Sequence, residues 1–204
     1  MGGLVEVISG CMYSGKTEEL IRRLTRARIA RQNLIVFKPN VDNRYSIKSI
    51  VTHMDTRFPC VSVASAEDML QCTTGMDVVG IDEAQFFGPG VLSVVEELVD
   101  KGIRVIVAGL DMDSDGKPFG PMPQLLAMAD HVTKVNAVCT VCGENASRSQ
   151  RMVDTQGQVL VGSTGLYEAR CRNHWSTSLP PRPTTHLSPQ LLEVPDNLAD
   201  WQYP

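Results

Sequence analysis

The eight residues Gly10-Cys11-Met12-Tyr13-Ser14-Gly15-Lys16-Thr17 constrain this chain most, because they fill every fixed position of the phosphate-binding pattern GxxxxGK[ST]. The glycines let the backbone curl until successive N–H groups point inward at the oxygens of a triphosphate. Lys16 is then placed to bridge the outer phosphates, and the Thr17 hydroxyl to ligate magnesium. The pattern carries this meaning only between a strand and a helix. Residues 4–8 run apolar like a short buried strand, and residues 17–31 read as a helix with Leu20, Ile21, Leu24 and Ala27 on one face. The loop therefore falls where a phosphate meets a helix N-terminus. Gly10, Met12, Ser14, Gly15, Lys16 and Thr17 are the nucleotide-binding candidates.

A chain of 204 residues can bury one sizeable core, as one domain with an appendage or as two small domains. Its formal charge of -4 supplies no basic field for a polyanion, which argues against a nucleic-acid partner. No apolar run approaches the roughly 20 residues needed to cross a bilayer, and no signal-peptide pattern precedes the first strand, so a cytoplasmic protein without a membrane partner is expected. In that setting the six cysteines point to reduced thiols or metal ligands rather than disulfides.

Residues 34–37 form a second apolar run, completing a strand-helix-strand unit. The arginines at 22, 23, 26, 28 and 31 read as a solvated helix face. The stretch Lys38-Pro39-Asn40-Val41-Asp42-Asn43-Arg44-Tyr45 leaves the second strand where α/β sheets place ligands. There Asp42 could hold magnesium through water and Arg44 could neutralise phosphate; an Asx turn with an exposed arginine is the plainer alternative. Residues 46–60, including Thr52 and His53, lack a period and read as irregular, residues 61–63 as a short strand, and Ser65 with Asp68 as a capping box opening a helix through Leu70. In residues 77–87 a buried strand ends in adjacent carboxylates, which assigns Asp82 to magnesium and leaves Glu83 free to accept a proton from a phosphoryl acceptor. A helix at 91–100, a strand at 103–108 and a short helix at 125–129 continue the alternation, and the glycine-rich acidic loop 109–120 is expected to lie over the nucleotide.

From residue 132 the character changes. Cys139-Thr140-Val141-Cys142 and Cys171-Arg172-Asn173-His174, separated by 28 residues, have the spacing of two zinc knuckles. With Cys139, Cys142, Cys171 and His174 all donating, no position remains for substrate or water, so the zinc is structural. Cys11, Cys60 and Cys72 read as unrelated buried thiols. The segment between the knuckles, tied at both ends, could act as a substrate lid. After Trp175 the chain holds half of its twelve prolines and reads as an extended tail.

Taken together, GCMYSGKT, KPNVDNRY, GIDEAQFF, GLDMDSDGKPFG and the CxxC with CRNH pair resemble the type II, zinc-containing thymidine kinase family. The resemblance implies transfer of the γ-phosphate of ATP to the 5′-hydroxyl of thymidine, with deoxyuridine as a further acceptor, in deoxynucleotide salvage. Within it Glu83 matches the general base, Thr17 and Asp82 the Mg2+ positions, Lys16 and Arg44 phosphate contacts, and Asp42 and Gln85 further cofactor positions. Met12, Phe86, Leu110, Phe119, Ser149, Leu160, Gly162 and Tyr167 match the thymidine pocket, where the base is read largely by backbone groups. This sequence departs at Ser114, commonly aromatic in the family, and in the segment before Tyr167, which lacks an acidic residue. The resemblance also implies a homotetramer and feedback inhibition by thymidine triphosphate. The expected fold is α/β: a RecA-like phosphate-loop parallel sheet flanked by helices (1–131), a small zinc-binding subdomain with a lasso-like lid (132–175) and a proline-rich tail (176–204). The competing class is a zinc-ribbon ATPase acting on nucleic acid or a protein partner.

Overall fold

The computed structural model describes residues 2–40, 49–51, 57–153 and 165–178. In chain order its elements are β1 (Leu4–Ser9), α1 (Lys16–Ile29), β2 (Leu34–Pro39), β3 (Ser49–Val51), β4 (Arg57–Pro59), β5 (Val61–Val63), a 3₁₀ turn (Glu67–Cys72), β6 (Val78–Ile81), a 3₁₀ turn (Ala84–Phe86), α2 (Gly90–Asp100), β7 (Arg104–Gly109), α3 (Met122–Met128), β8 (His131–Lys134), β9 (Ala137–Val138), β10 (Asn145–Ala146), β11 (Arg148–Arg151) and β12 (Tyr167–Arg170).

Six strands form one all-parallel sheet in the order β5-β2-β6-β7-β1-β8. Successive strand residues face opposite sides, so both sheet faces must be covered. Val5, Val7, Val79, Ile81, Val105 and Val107 pack with Val91, Val94, Val95 and Leu98 of α2 and Met122 and Leu125 of α3. Ile8, Val36, Val78, Ile106 and Ala108 pack with Leu20, Ile21, Leu24 and Ala27 of α1, the residues whose spacing marked that helix's inner face. Gly80 allows the approach: a Cβ there would stand 3.1 Å from a Leu24 methyl. Because β7 lies between β1 and β6, the phosphate-loop strand and the acidic strand end one strand apart, on the same edge, as the RecA-like expectation requires.

Several local expectations are revised. α1 ends at Ile29, because Ala30 closes it and Arg31 turns left-handed with φ 60°. Residues 49–51 and 57–59, expected to be irregular, pair as an antiparallel hairpin. Ser65 and Asp68 make half of a capping box: Asp68 Oδ2 accepts the Ser65 N–H at 3.0 Å, and the turn that follows is 3₁₀. The change of character at residue 132 falls inside β8, which pairs with β1 as the sheet's last strand. Cys11 is buried, but Cys60 is only half-buried and Cys72 is exposed. Two small antiparallel ladders, β9 with β10 and β11 with β12, follow the main sheet.

Arg23 also departs from the solvated-face reading. Its guanidinium reaches Glu6 Oε2 at 2.5 Å, Glu19 Oε1 at 2.8 Å and Thr133 Oγ1 at 2.8 Å, while Arg104 Nε holds the other Glu6 oxygen at 2.6 Å. Glu6 sits on β1 inside the sheet, so its charge is tolerated only because both oxygens are paired. Burial raises its carboxyl, but hydrogen bonds from Arg104 and Arg23 outweigh this and hold it below the ordinary 4.5. A carboxyl depressed on folding stabilises above its unfolded value, and that contribution is lost as the pH falls through the folded value. Glu6→Ala is expected to cost about 3 kcal/mol in urea unfolding at about pH 7. The gap to the parent should narrow below pH 4.5; an unchanged gap at about pH 3 would remove the ion pairs as its cause.

Candidate active site and metal centre

The phosphate loop begins where β1 ends. Gly10 is required by crowding, since a Cβ there would lie 2.3 Å from the Val135 carbonyl oxygen. The loop then passes through two left-handed residues, Tyr13 with φ 64° and Gly15 with φ 83°. Ser14 Oγ and Lys16 Nζ both donate to the Cys11 carbonyl, at 2.8 and 2.7 Å, which fixes the curl from inside. Gly15 is the N-cap of α1 and no side chain caps that end. The leading N–H groups of α1 are thereby left to an anion, where the helix dipole also favours negative charge.

Asp82 follows β6 at its carboxyl end and is buried. Thr17 Oγ1 donates to Asp82 Oδ2 at 3.4 Å, so the two residues expected to share magnesium stand side by side. Burial pushes the Asp82 carboxyl up to about 7 and the neighbouring Glu83 carboxylate adds to this, against weaker lowering by the Glu83 N–H, Lys16 and Thr17. A buried acid so poorly compensated by its surroundings fits a divalent cation, which would favour its ionised form. Glu83 adopts φ 54°, a conformation that costs energy for a non-glycine residue and is concentrated at functional sites. Gln85 Nε2 donates to Glu83 Oε2, and Gln85 Oε1 accepts the Leu110 N–H at 2.9 Å. The buried amide of Gln85 therefore bridges the candidate base and the loop that follows β7.

Phe86 and Phe119 meet edge to face, with centroids 5.5 Å apart and planes at 87°. Across the site, Ser149 Oγ accepts the Met12 N–H at 3.0 Å, joining β11 to the phosphate loop. Tyr167 is buried on β12, opposite Arg151. The structure thus brings Met12 to Ser149, Phe86 to Phe119 and Leu110 to Gln85. Asp42, Arg44, Leu160 and Gly162 lie outside the described residues.

Cys139, Cys142, Cys171 and His174 place their donor atoms within 4.8 Å of one another. The Cys142 and Cys171 sulfurs are 3.8 Å apart, and His174 Nδ1 lies 3.2 Å from Cys171 Sγ and 3.8 Å from Cys139 Sγ. Tight turns form both knuckles: the Gly143 N–H bonds the Cys139 carbonyl at 2.9 Å, and the His174 N–H bonds the Cys171 carbonyl at 3.1 Å. Burial raises the Cys139 thiol, but backbone N–H groups of Cys171, Val141 and Cys142 bring it down to about 6. Amides converging on a thiolate are what a tetrahedral zinc site requires, and three sulfurs with one imidazole close the coordination. This donor set fits a zinc ion.

The metal module is packed onto the phosphate loop. Cys11 Sγ donates to the Ala146 carbonyl at 3.3 Å, and Cys11 and Tyr13 share one apolar cluster with Ala137, Cys139, Ala146, Ala169 and Cys171. Sequence reasoning missed this use of Cys11, the bridging role of Gln85, and Arg148 and Trp175, which reach from the metal module to loop 109–120. A polar Gln among apolar neighbours and an indole directly after the last ligand were the signals available.

A sheet that aims a phosphate loop and a buried strand-end acid into one space belongs to the phosphate-loop nucleotide enzymes, and the cysteine knuckles narrow that class. The family model described as "Thymidine kinase" matches residues 3–175. The thymidine kinase of Rhodothermus sp. is 51% identical over 186 residues, covering 91% of this chain and 86% of that protein. That of Bacteroides thetaiotaomicron is 54% identical over 170 residues, covering 83% and 85%, and that of Bdellovibrio bacteriovorus 52% over 174 residues, covering 85% of each. The chain belongs to the thymidine kinase family, which makes it an ATP-dependent nucleoside kinase. No helix among the described residues is long and apolar enough to cross a membrane.

Metal analysis of the purified chain should return about one zinc per chain. Cys142→Ser should lose most of that metal and lower the thermal unfolding midpoint. Full occupancy in the variant would contradict the ligand set.

Proposed function

We propose that this chain transfers the γ-phosphate of ATP to the 5′-hydroxyl of thymidine, accepting deoxyuridine as well, and that Glu83 is the base. The observation that carries the reading is the shared end of β6: Asp82 faces Thr17 of the phosphate loop, and the next residue, Glu83, is held by Gln85. As the acceptor oxygen bonds to the γ-phosphorus, its proton passes to Glu83 and the bond from phosphorus to the bridging β–γ oxygen breaks, leaving ADP. Lys16 follows the charge onto the outer phosphates, and the α1 N-terminus holds the inner ones. Thr17 and Asp82 are the residues that would hold Mg2+, and the ion would neutralise the charge that develops on the phosphates.

Met12, Phe86, Leu110, Phe119, Ser149, Leu160, Gly162 and Tyr167 are assigned to the nucleoside side, Asp42 to magnesium through water and Arg44 to phosphate. The support is the meeting of Phe86 with Phe119 beside Gln85, together with family membership. The half-buried Phe86 offers an aromatic surface against which a pyrimidine can pack. Zinc acts structurally, through a module that seats Ser149 on the phosphate loop. The same reading extends to a nucleotide-binding part over residues 1–131, a zinc-bound lid part over 132–175 and a tail over 176–204, and to a cytoplasmic homotetramer restrained by thymidine triphosphate.

The test is a transfer assay with γ-labelled ATP and magnesium on the parent and on Glu83→Gln. The parent should label thymidine and deoxyuridine but not deoxycytidine or deoxyadenosine. Glu83→Gln should keep ATP binding and lose about a hundredfold or more in turnover. Undiminished turnover removes Glu83 from the role of base, and phosphate release stimulated by single-stranded DNA without nucleoside labelling overturns the kinase reading.

A further inference from the structure

Trp175 directly follows His174, the last candidate metal ligand, and its side chain reaches away from the metal module. Its indole Nε1–H donates to the Ser114 carbonyl at 3.2 Å. The ring lies against Gly116, where φ is +75° and an added Cβ would come within 2.8 Å of the indole Cη2. Any other residue at 116 would both strain the backbone and push the ring off. The Arg148 guanidinium stands 5.8 Å from the centroid of the same ring, and its Nη1 lies 3.1 Å from Met112 Sδ.

Ser114, Gly116 and Met112 all belong to the loop between β7 and α3, which is internally tied. Asp113 Oδ1 accepts the N–H groups of Asp115 and Lys117, both at 2.9 Å, and Met112 bridges to Pro118. At its base the Leu110 N–H is held by Gln85, and the Phe119 N–H by the Asp111 carbonyl at 3.1 Å. A loop braced in this way moves as a unit, so a contact at its tip is felt at Leu110 and Phe119. Loops at the carboxyl ends of strands are ordinarily the mobile part of an α/β fold, and ordering one on ligand binding costs affinity.

We propose that Trp175, supported by Arg148, is a positioning residue for the nucleoside. It clamps the tip of loop 109–120 to the metal module, so that the folded knuckles set where Leu110 and Phe119 stand before substrate arrives. The clamp deepens the assignment of Leu110 and Phe119 to the nucleoside pocket and rests on it. It acts on the acceptor side and leaves the phosphate loop's own contacts unchanged.

The test measures KM for thymidine, KM for ATP and zinc content in Trp175→Phe, Trp175→Ala and Phe119→Ala. Indole fluorescence is read in a Trp201→Phe background, which leaves Trp175 as the sole tryptophan. Trp175→Phe keeps most of the packing but removes one neutral hydrogen bond, and should raise the thymidine KM about fivefold. Trp175→Ala should raise it about tenfold or more, while the ATP KM stays within about twofold and zinc is retained. Removing zinc with a chelator should shift Trp175 emission to the red as the ring leaves Gly116.

An unchanged thymidine KM in both Trp175 variants, an equal rise in both KM values, or an unmoved emission on chelation overturns the clamp. Loss of zinc from Trp175→Phe also overturns it, because the ring would then serve the metal site. Phe119→Ala separates the two levels. A raised thymidine KM there beside silent Trp175 variants removes the clamp and keeps the pocket. A silent Phe119→Ala removes the pocket assignment and the clamp with it.

Discussion

The contact on which the rest of the site depends is the seating of the phosphate loop against the metal module. The loop's internal bonds, from Ser14 and Lys16 to the Cys11 carbonyl, fix its curl but not its placement. Placement comes from outside: Gly10 pressed against the Val135 carbonyl, Cys11 Sγ bonded to Ala146, and the Met12 N–H bonded to Ser149. Ala146 and Ser149 lie in the segment between the cysteine knuckles, while Val135 directly follows β8 of the main sheet and donates its N–H to the Ser9 carbonyl at 2.8 Å. A metal held by the Cys139, Cys142, Cys171 and His174 cluster would order the wall behind the phosphate loop without touching the loop itself.

Two adjacent carboxylates receive opposite treatment from this frame. Asp82 is buried beside Thr17 with little to neutralise it, which pushes its carboxyl up to about 7 and suits it to a cation. Glu83 is turned by a left-handed backbone and secured by Gln85, whose other end holds the Leu110 N–H. One buried amide therefore ties the candidate base, Glu83, to the loop that follows β7. That coupling relates β6 to β7 across the sheet edge where phosphate-loop enzymes bind their ligands.

Much of the architecture was legible because it rests on local pattern. The apolar runs, the amphipathic face of α1 and the glycine pattern each report on a few neighbouring residues, and Leu20, Ile21, Leu24 and Ala27 are buried as their spacing required. The clustering of Cys139, Cys142, Cys171 and His174 was legible for the same reason, since two short knuckles leave a spacing signature. What escaped depends on residues far apart in sequence. Arg23 looked like one more exposed arginine until Glu6 and Thr133 converged on it, with Arg104 on the other Glu6 oxygen. Residues 49–51 and 57–59 carry too few residues for a period, and only their pairing makes them strands. β8 has mostly exposed residues, and its place in the sheet follows from register with β1 rather than from hydrophobicity. Ser149 and Trp175 act through a strand hydroxyl and an indole whose partners stand 137 and 61 residues away.

The most direct measurement of the account is amide hydrogen exchange across residues 10–17 in zinc-loaded and chelated protein, without nucleotide. Seating by the metal module predicts that removing zinc speeds exchange in the phosphate loop, at Met12 above all, along with exchange in β9 to β12, while the α2 core stays protected. If the knuckles open to exchange and residues 10–17 remain as protected as before, the loop holds itself and the central claim is contradicted.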